Sequence, residues 1–141
     1  VISLASFPMG MLARPGHPLL SLNRDVEWNE LIPYPRITGR YPQHRRLDAS
    51  LPFGPLDTTV ECNDFEALRA ITVETDAIWL TAMAMLDGDE RGGSLVAINP
   101  RPFHDLAIAE IVLVRQSERL LSPAAERVIQ LIMTTTANFA K

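Results

Sequence analysis

Cysteine is almost missing from this chain. Cys62 stands alone among 141 residues, so no internal disulfide can form and the cross-linked framework of a small secreted domain is excluded. Lysine is as scarce: Lys141 is the sole one and sits at the terminus, the other basic residues being arginine, which leaves no candidate for Schiff-base chemistry. No apolar run approaches the roughly 20 residues that span a bilayer. The opening residues carry neither a basic segment nor a small-residue cleavage site. Positive charge is not in excess either. Thirteen basic against 17 acidic residues give a net charge of -4, the wrong sign for a nucleic-acid surface.

Chemistry-bearing motifs are equally thin. There is no Gly-x-Ser-x-Gly, no Cys-x-x-Cys and no phosphate loop with its lysine. The three histidines, His17, His44 and His104, lie far apart with no ligand spacing. His17, between Gly16 and Pro18, reads as a structural or surface residue. Asp87, Asp89 and Glu90 cluster beside a glycine pair but lack the alternating oxygen ligands of a calcium loop. No metal, no cofactor and no enzyme activity is expected.

What is present suits a packed α/β core. The chain is 47% hydrophobic and 21% charged, which excludes wholesale disorder. Short apolar or β-branched runs predict strands at Met9–Ala13, Tyr34–Thr38, Asp57–Cys62, Ala77–Leu80, Ser94–Ile98 and Ile108–Arg115, the last being the strongest. Helical stretches fit Ser21–Leu31, Tyr41–Leu51 and Thr81–Leu86. A further helix opens at Asn63 or Asp64, with Phe65, Leu68 and Ile71 on its apolar face and Arg69 turned away. Ser122 and Pro123 form a favoured N-cap and first-position pair for a last helix through about Thr135, with Ala125, Val128, Ile129 and Ile132 at helical spacing. Helices alternating with short strands imply an α/β protein.

Open α/β sheets bind small ligands at the carboxyl ends of their strands, beside helix N-termini. Three predicted strand ends qualify: Ala13–Arg14, Thr38–Gly39–Arg40 and Cys62–Asn63. Arg14 and Arg40 can pair with an anion, and Thr38 and Asn63 can offer short hydrogen-bonding groups. The same residues equally suit surface charges, a turn and a helix cap.

Five segments in order carry a family resemblance. LARPGHPL at 12–19, NELIPYPRI at 29–37, CNDFEALRAITVETDAIWL at 62–80, GGSLVAI at 92–98 and IVLVRQSERLLSPAAERVIQLI at 111–132 together resemble the effector-binding domain of LysR-type transcriptional regulators. The resemblance implies a two-lobed, periplasmic-binding-protein-like effector domain with the first part of lobe I absent. Residues 1–33 would be the end of lobe I, 34–106 lobe II and 107–141 the return to lobe I.

It further implies a small-molecule effector held between lobes and promoter DNA bound through an upstream helix-turn-helix domain absent from this chain. A homodimer or homotetramer, a cytoplasmic location and no membrane partner complete the expectation. Carried over one by one, the effector positions are Arg14, Thr38, Gly39, Arg40 and Asn63. Where the family has a glycine-X-glycine, this sequence has Thr75, Asp76 and Ala77, which either adds a charge near the cleft or turns that corner outward. A solute-binding protein with the same fold and no DNA-binding domain is the alternative.

Overall fold

The computed structural model describes residues 1–40, 59–87, 93–98, 100, 108–115 and 120–137. The expected helix Tyr41–Leu51, the turn around Asp89 and Glu90, and both His44 and His104 lie outside the described residues. The chain divides into two units, Pro8–Ala107 and Val1–Phe7 with Ile108–Lys141. Residues 8–33 fall in the larger unit together with 34–106.

The larger unit is built on an open sheet. Its strands are β1 (Ile2–Ala13, entering this unit at Pro8), β2 (Arg36–Thr38), β3 (Val60–Glu61), β4 (Ile78–Ala82) and β5 (Val96–Ala97), in the order β3-β2-β4-β1-β5. Strand β2 runs parallel to both β3 and β4, with Thr38 level with Glu61 and Leu80. Strand β1 is antiparallel to β4, pairing Met9 with Ala82 and Leu12 with Trp79, and antiparallel to β5. The parallel strands need a crossover, and helix α1 (Phe65–Glu74) supplies it between β3 and β4.

Helix α1 starts where its cap allows. The Asp64 side chain accepts from the Ala67 amide at 3.1 Å, so Asp64 and not Asn63 is the N-cap. It stops at Thr75, whose hydroxyl donates to the Ile71 carbonyl at 2.7 Å and accepts from the Ala77 amide at 3.1 Å. The buried face is Leu68 and Thr72, both 0% exposed, with Val73 packed against the core; Phe65 and Ile71 are each more than a third exposed. The three-residue spacing in the sequence misplaces this face because a helix turns every 3.6 residues, so i to i+4 pairs also share a side. Arg69 does not simply turn away, since it is half-buried and donates to Ser94 Oγ.

Beneath α1 lies a cluster of Leu12, Ile37, Leu68, Ala77, Trp79 and Leu95, drawn from β1, β2, α1, β4 and the approach to β5. Strand β4 continues through Thr81 and Ala82, which the sequence reading gives to a helix; the helix α2 is only Ala84–Asp87. The physical reason is pairing, since Gly10 and Met9 of β1 face Thr81 and Ala82. The expected helix over Ser21–Leu31 is instead two 3-10 turns, Pro18–Leu22 and Trp28–Leu31. At the second, Arg24 bonds both oxygens of Glu30 and holds that carboxyl down to about 2.

In the smaller unit, strand β6 (Ile108–Leu113) pairs with β1, its single strand partner among the described residues. Helix α3 (Pro123–Ala137) opens as expected. Ser122 Oγ accepts from the Ala125 amide at 3.2 Å and Pro123 occupies the first helical position. Its apolar side chains are only partly covered, Val128 being 54% and Leu131 53% exposed. Among the described residues no helix is long and apolar enough to cross a membrane.

Two substitutions separate what holds α1. Leu68→Ala should cost about 2–5 kcal/mol, the scale for truncating a fully buried leucine. Asp64→Ala should cost about 0.5–2 kcal/mol for the lost cap. Equilibrium urea unfolding reads both; equal losses would mean that the Leu68 contact does not dominate.

Candidate functional site

Strand direction sorts the expected site residues into two groups. The carboxyl ends of parallel β2 and β3 bring Thr38, Gly39, Arg40 and Asn63 to one end of the larger unit's sheet, with the N-terminus of α1 following directly. Arg14 follows the carboxyl end of β1, but β1 is antiparallel to β4, so Arg14 emerges beside the beginning of β4. Asp76 precedes β4 at that same end. Asp76 lies four positions before Leu80, the partner level with Thr38, which is roughly 13 Å along an extended strand. Arg14 and Asp76 thus do not share a cleft end with Thr38 and Asn63. The antiparallel register of β1 and β4 sets the two groups apart.

At the beginning of β4 the groups are tied to one another. Arg14 Nε and Nη2 both donate to Asp76 Oδ1, at 3.0 and 2.7 Å, with the side chains 34% and 42% exposed. Gly16 gives the guanidinium room, because a Cβ there would lie 2.8 Å from Arg14 Nη1. His17 is 1% exposed; its Nδ1 accepts from the Leu19 amide at 3.2 Å, and its Nε2 lies 3.2 Å from the Asp76 carbonyl oxygen. An acceptor at Nδ1 fixes the neutral tautomer with its proton on Nε2, which then donates to that carbonyl. Burial holds the imidazole below its ordinary range, against the opposing pull of the Asp76 carbonyl and carboxylate. The ring of Tyr34 tilts against it at 4.6 Å between centroids. Thr75 is spent on ending α1. Thr75 and Asp76 are thus both engaged in bonds that tie this corner together.

At the carboxyl ends of β2 and β3 the groups have more freedom. Thr38 is 8% exposed and donates its hydroxyl to the Leu80 carbonyl at 3.1 Å, which leaves the oxygen's lone pairs to accept. Gly39 is buried, while Arg40 and Asn63 are exposed. Cys62 is half-buried and its Sγ accepts from the Asp64 amide at 3.3 Å. The positive end of the α1 dipole points out here, with the Asp64 carboxylate and the acidic Glu66 on its first turn.

One residue at this end escaped sequence reasoning. Thr81 is 0% exposed, and its hydroxyl, like the indole N–H of Trp79, is buried without a hydrogen-bond partner. It shares the Trp79 face of β4 by alternation and stands one step nearer the carboxyl end. Phe65, the first residue of α1, has its ring 6.1 Å from that of Trp79. The alternation of Trp79 and Thr81 in IWLTA is the signal that could have found it. Among the described residues no group of three or more His, Cys, Asp or Glu side chains is placed to hold a metal ion.

Thr38, Gly39, Arg40 and Asn63 offer acceptors, donors and one cation, with no titratable pair arranged for proton transfer. Groups of this kind suit hydrogen bonding and charge pairing with a small polar molecule.

Comparison with known proteins places the chain in a family. A family model described as the LysR substrate binding domain matches residues 1–137. A curated relative, the SDS degradation transcriptional activation protein of a Pseudomonas species, is 28% identical over 144 aligned positions, covering 97% of this chain and 45% of its own. Among solved structures, a putative transcriptional regulator from Vibrio parahaemolyticus superposes with a TM-score of 0.69 at 18% identity, over 99% of this chain and 66% of its own. The regulatory domain of Synechocystis CcmR, in complex with 2-PG, gives 0.66 at 16% identity, over 96% and 66%. The chain thus spans under half of the curated relative and about two thirds of the solved domains.

The Arg14–Asp76 junction can be measured directly. A double-mutant cycle with Arg14→Ala and Asp76→Ala should give a coupling of about 0.5–1 kcal/mol, the upper range for a half-exposed pair. Strictly additive losses in chemical unfolding would show that the two side chains do not act together.

Proposed function

Because the chain belongs to the LysR substrate binding domain family, we propose that it is the effector-sensing part of a transcription regulator, binding a small polar molecule at the carboxyl ends of β2 and β3. The match of the family model over residues 1–137 carries this reading. It favours a regulator over a free-standing solute-binding protein. The effector-contacting residues are Thr38, Gly39, Arg40 and Asn63, with Thr81 behind them; Arg14, Thr75 and Asp76 leave the set because they serve the junction at the other end of the sheet. Lobe II spans Tyr34 to Leu106, with the strand and turns of residues 8–33 packed in the same unit.

The whole protein, on this reading, acts in the cytoplasm as a homodimer or homotetramer and meets promoter DNA through a helix-turn-helix domain outside this chain. Ligand binding changes transcription by favouring one arrangement of the assembly over another. The 2-PG bound to the CcmR regulatory domain supports a small polar ligand here. Arg40 and the α1 dipole favour an anion, whereas Asp64 and Glu66 favour a hydroxylated or amide group beside it.

Titration calorimetry with a panel of small carboxylates and phosphate esters tests the site. For an anionic ligand Arg40→Ala should weaken binding by about 1.5–3 kcal/mol, the scale of a charged hydrogen bond. Asn63→Ala should also weaken it, while Arg14→Ala leaves it unchanged. Loss of affinity in Arg14→Ala with none in Arg40→Ala or Asn63→Ala would move the site to the other end of the sheet.

A further inference from the structure

We propose that His17 is a proton-operated latch that ties the Pro18–Leu22 turn to the corner between α1 and β4, and that protonation of its ring opens the Pro18–Leu22 side. The geometry is a conflict built around one atom. Nδ1 accepts from the Leu19 amide at 3.2 Å while Nε2 donates to the carbonyl of Asp76, 59 residues further along the chain, at 3.2 Å, so the neutral ring bridges two backbone segments distant in sequence. A second proton must go to Nδ1, where it meets the Leu19 N–H head on. Two donors then face each other inside a site that is 1% exposed at His17 and 6% at Leu19. The Asp76 side survives, because Nε2 keeps its proton in both states.

Each group facing the ring has a defined sense. From the corner before β4, the Asp76 carboxylate favours the charged ring; from the end of β1, the Arg14 guanidinium opposes it; burial opposes it more than either. Tyr34 contributes a tilted ring at 4.6 Å from the segment after the second 3-10 turn. The Pro18–Leu22 turn itself carries no charged residue. Nothing on that turn replaces the lost bond, so the turn must move for the proton to enter. The turn's other bonds are local: the His17 amide donates to the Arg14 carbonyl at 3.1 Å, the Leu20 amide to the His17 carbonyl at 3.0 Å and the Ser21 hydroxyl to the Pro18 carbonyl at 2.7 Å. Opening is therefore confined to one short turn and the burial of Leu19.

The sign follows from where the proton is held. A ring whose affinity for a proton is lowered in the closed state stabilises that state above the ordinary imidazole value of 6.5, and this is lost as pH falls from there towards the lower closed-state value. The latch is independent of the effector reading, since its residues lie at the opposite end of the sheet from Thr38 and Asn63.

The test is NMR on the 141-residue chain between about pH 8 and about pH 5, the range in which histidine changes charge. Imidazole nitrogen shifts, assigned with His17→Gln, should show the Nε2–H tautomer at the alkaline end and a midpoint below 6.5. The Leu19 amide protection factor should fall about tenfold per pH unit below 6.5 while the Leu68 amide keeps its own. Asp76→Asn, which keeps the carbonyl, should lower the midpoint, and Arg14→Gln should raise it. In His17→Gln the Leu19 protection should lose its pH dependence. Leu19 protected beside a doubly protonated ring would overturn the latch. So would loss of Leu19 protection only together with Leu68, or a midpoint that neither charge variant moves.

Discussion

Strand β4 is the constraint on which the larger unit depends. It is the one described strand that pairs with a parallel partner on one side, β2, and an antiparallel partner on the other, β1. Ile78, Trp79 and Thr81 are all at most 2% exposed, so the strand is closed on its edges by hydrogen bonds and on its α1 face by the cluster under Leu68. A strand buried this way admits no slip, because a one-residue shift would turn Trp79 out and Leu80 in. That fixed register in turn decides which loops meet. The corner before β4 must meet the end of β1, and the ends of β2 and β3 must meet the start of α1.

The elements legible in the sequence are those whose signals are local. Ser122 and Pro123 open α3 because a hydroxyl cap and a residue without an amide proton suit a helix start whatever surrounds it. Ile108–Leu113 forms a strand from β-branched content alone. Where the outcome depends on a distant partner, the sequence misleads. Thr81 and Ala82 read as the start of a helix beside Met83 and Met85, yet Met9 and Gly10 recruit them into β4 from some seventy residues away. Ser21–Leu31 has apolar punctuation but makes only two 3-10 turns, held by local bonds such as that from Arg24 to Glu30.

The candidate site shows the same divide. Thr38, Gly39, Arg40 and Asn63 could be grouped from the sequence because they end strands that run the same way, and the carboxyl-end rule applies to parallel strands. Arg14 ends a strand too, and nothing in residues 9–13 states its direction. Direction is a property of the pairing, and the pairing reverses the rule: the carboxyl end of β1 lies beside the amino end of β4. Asp76 was legible as a departure from a glycine pattern but not as the partner of Arg14, which sits 62 residues earlier. Sequence distance hides charge complementarity that the sheet makes obvious.

The two ends of the sheet also differ in what their polar groups are bound to. General acid–base chemistry needs a titratable group within hydrogen-bond reach of a reacting atom and free to exchange its proton. His17 has the right intrinsic range, but both ring nitrogens are bound to backbone groups and the ring is buried. Asp76 has both guanidinium donors of Arg14 on one oxygen. Among the described residues, His17 and Asp76 are thus both engaged in holding the α1–β4 corner. The opposite end carries Thr38, Asn63, Arg40 and the N-terminus of α1, the groups that the proposed function assigns to an effector. A corner tied by Arg14, His17 and Asp76 holds the carboxyl-terminal end of α1, and on the proposed function a helix fixed there keeps its N-terminus aimed at the effector. On that reading, structural chemistry at one end of the sheet supports recognition at the other.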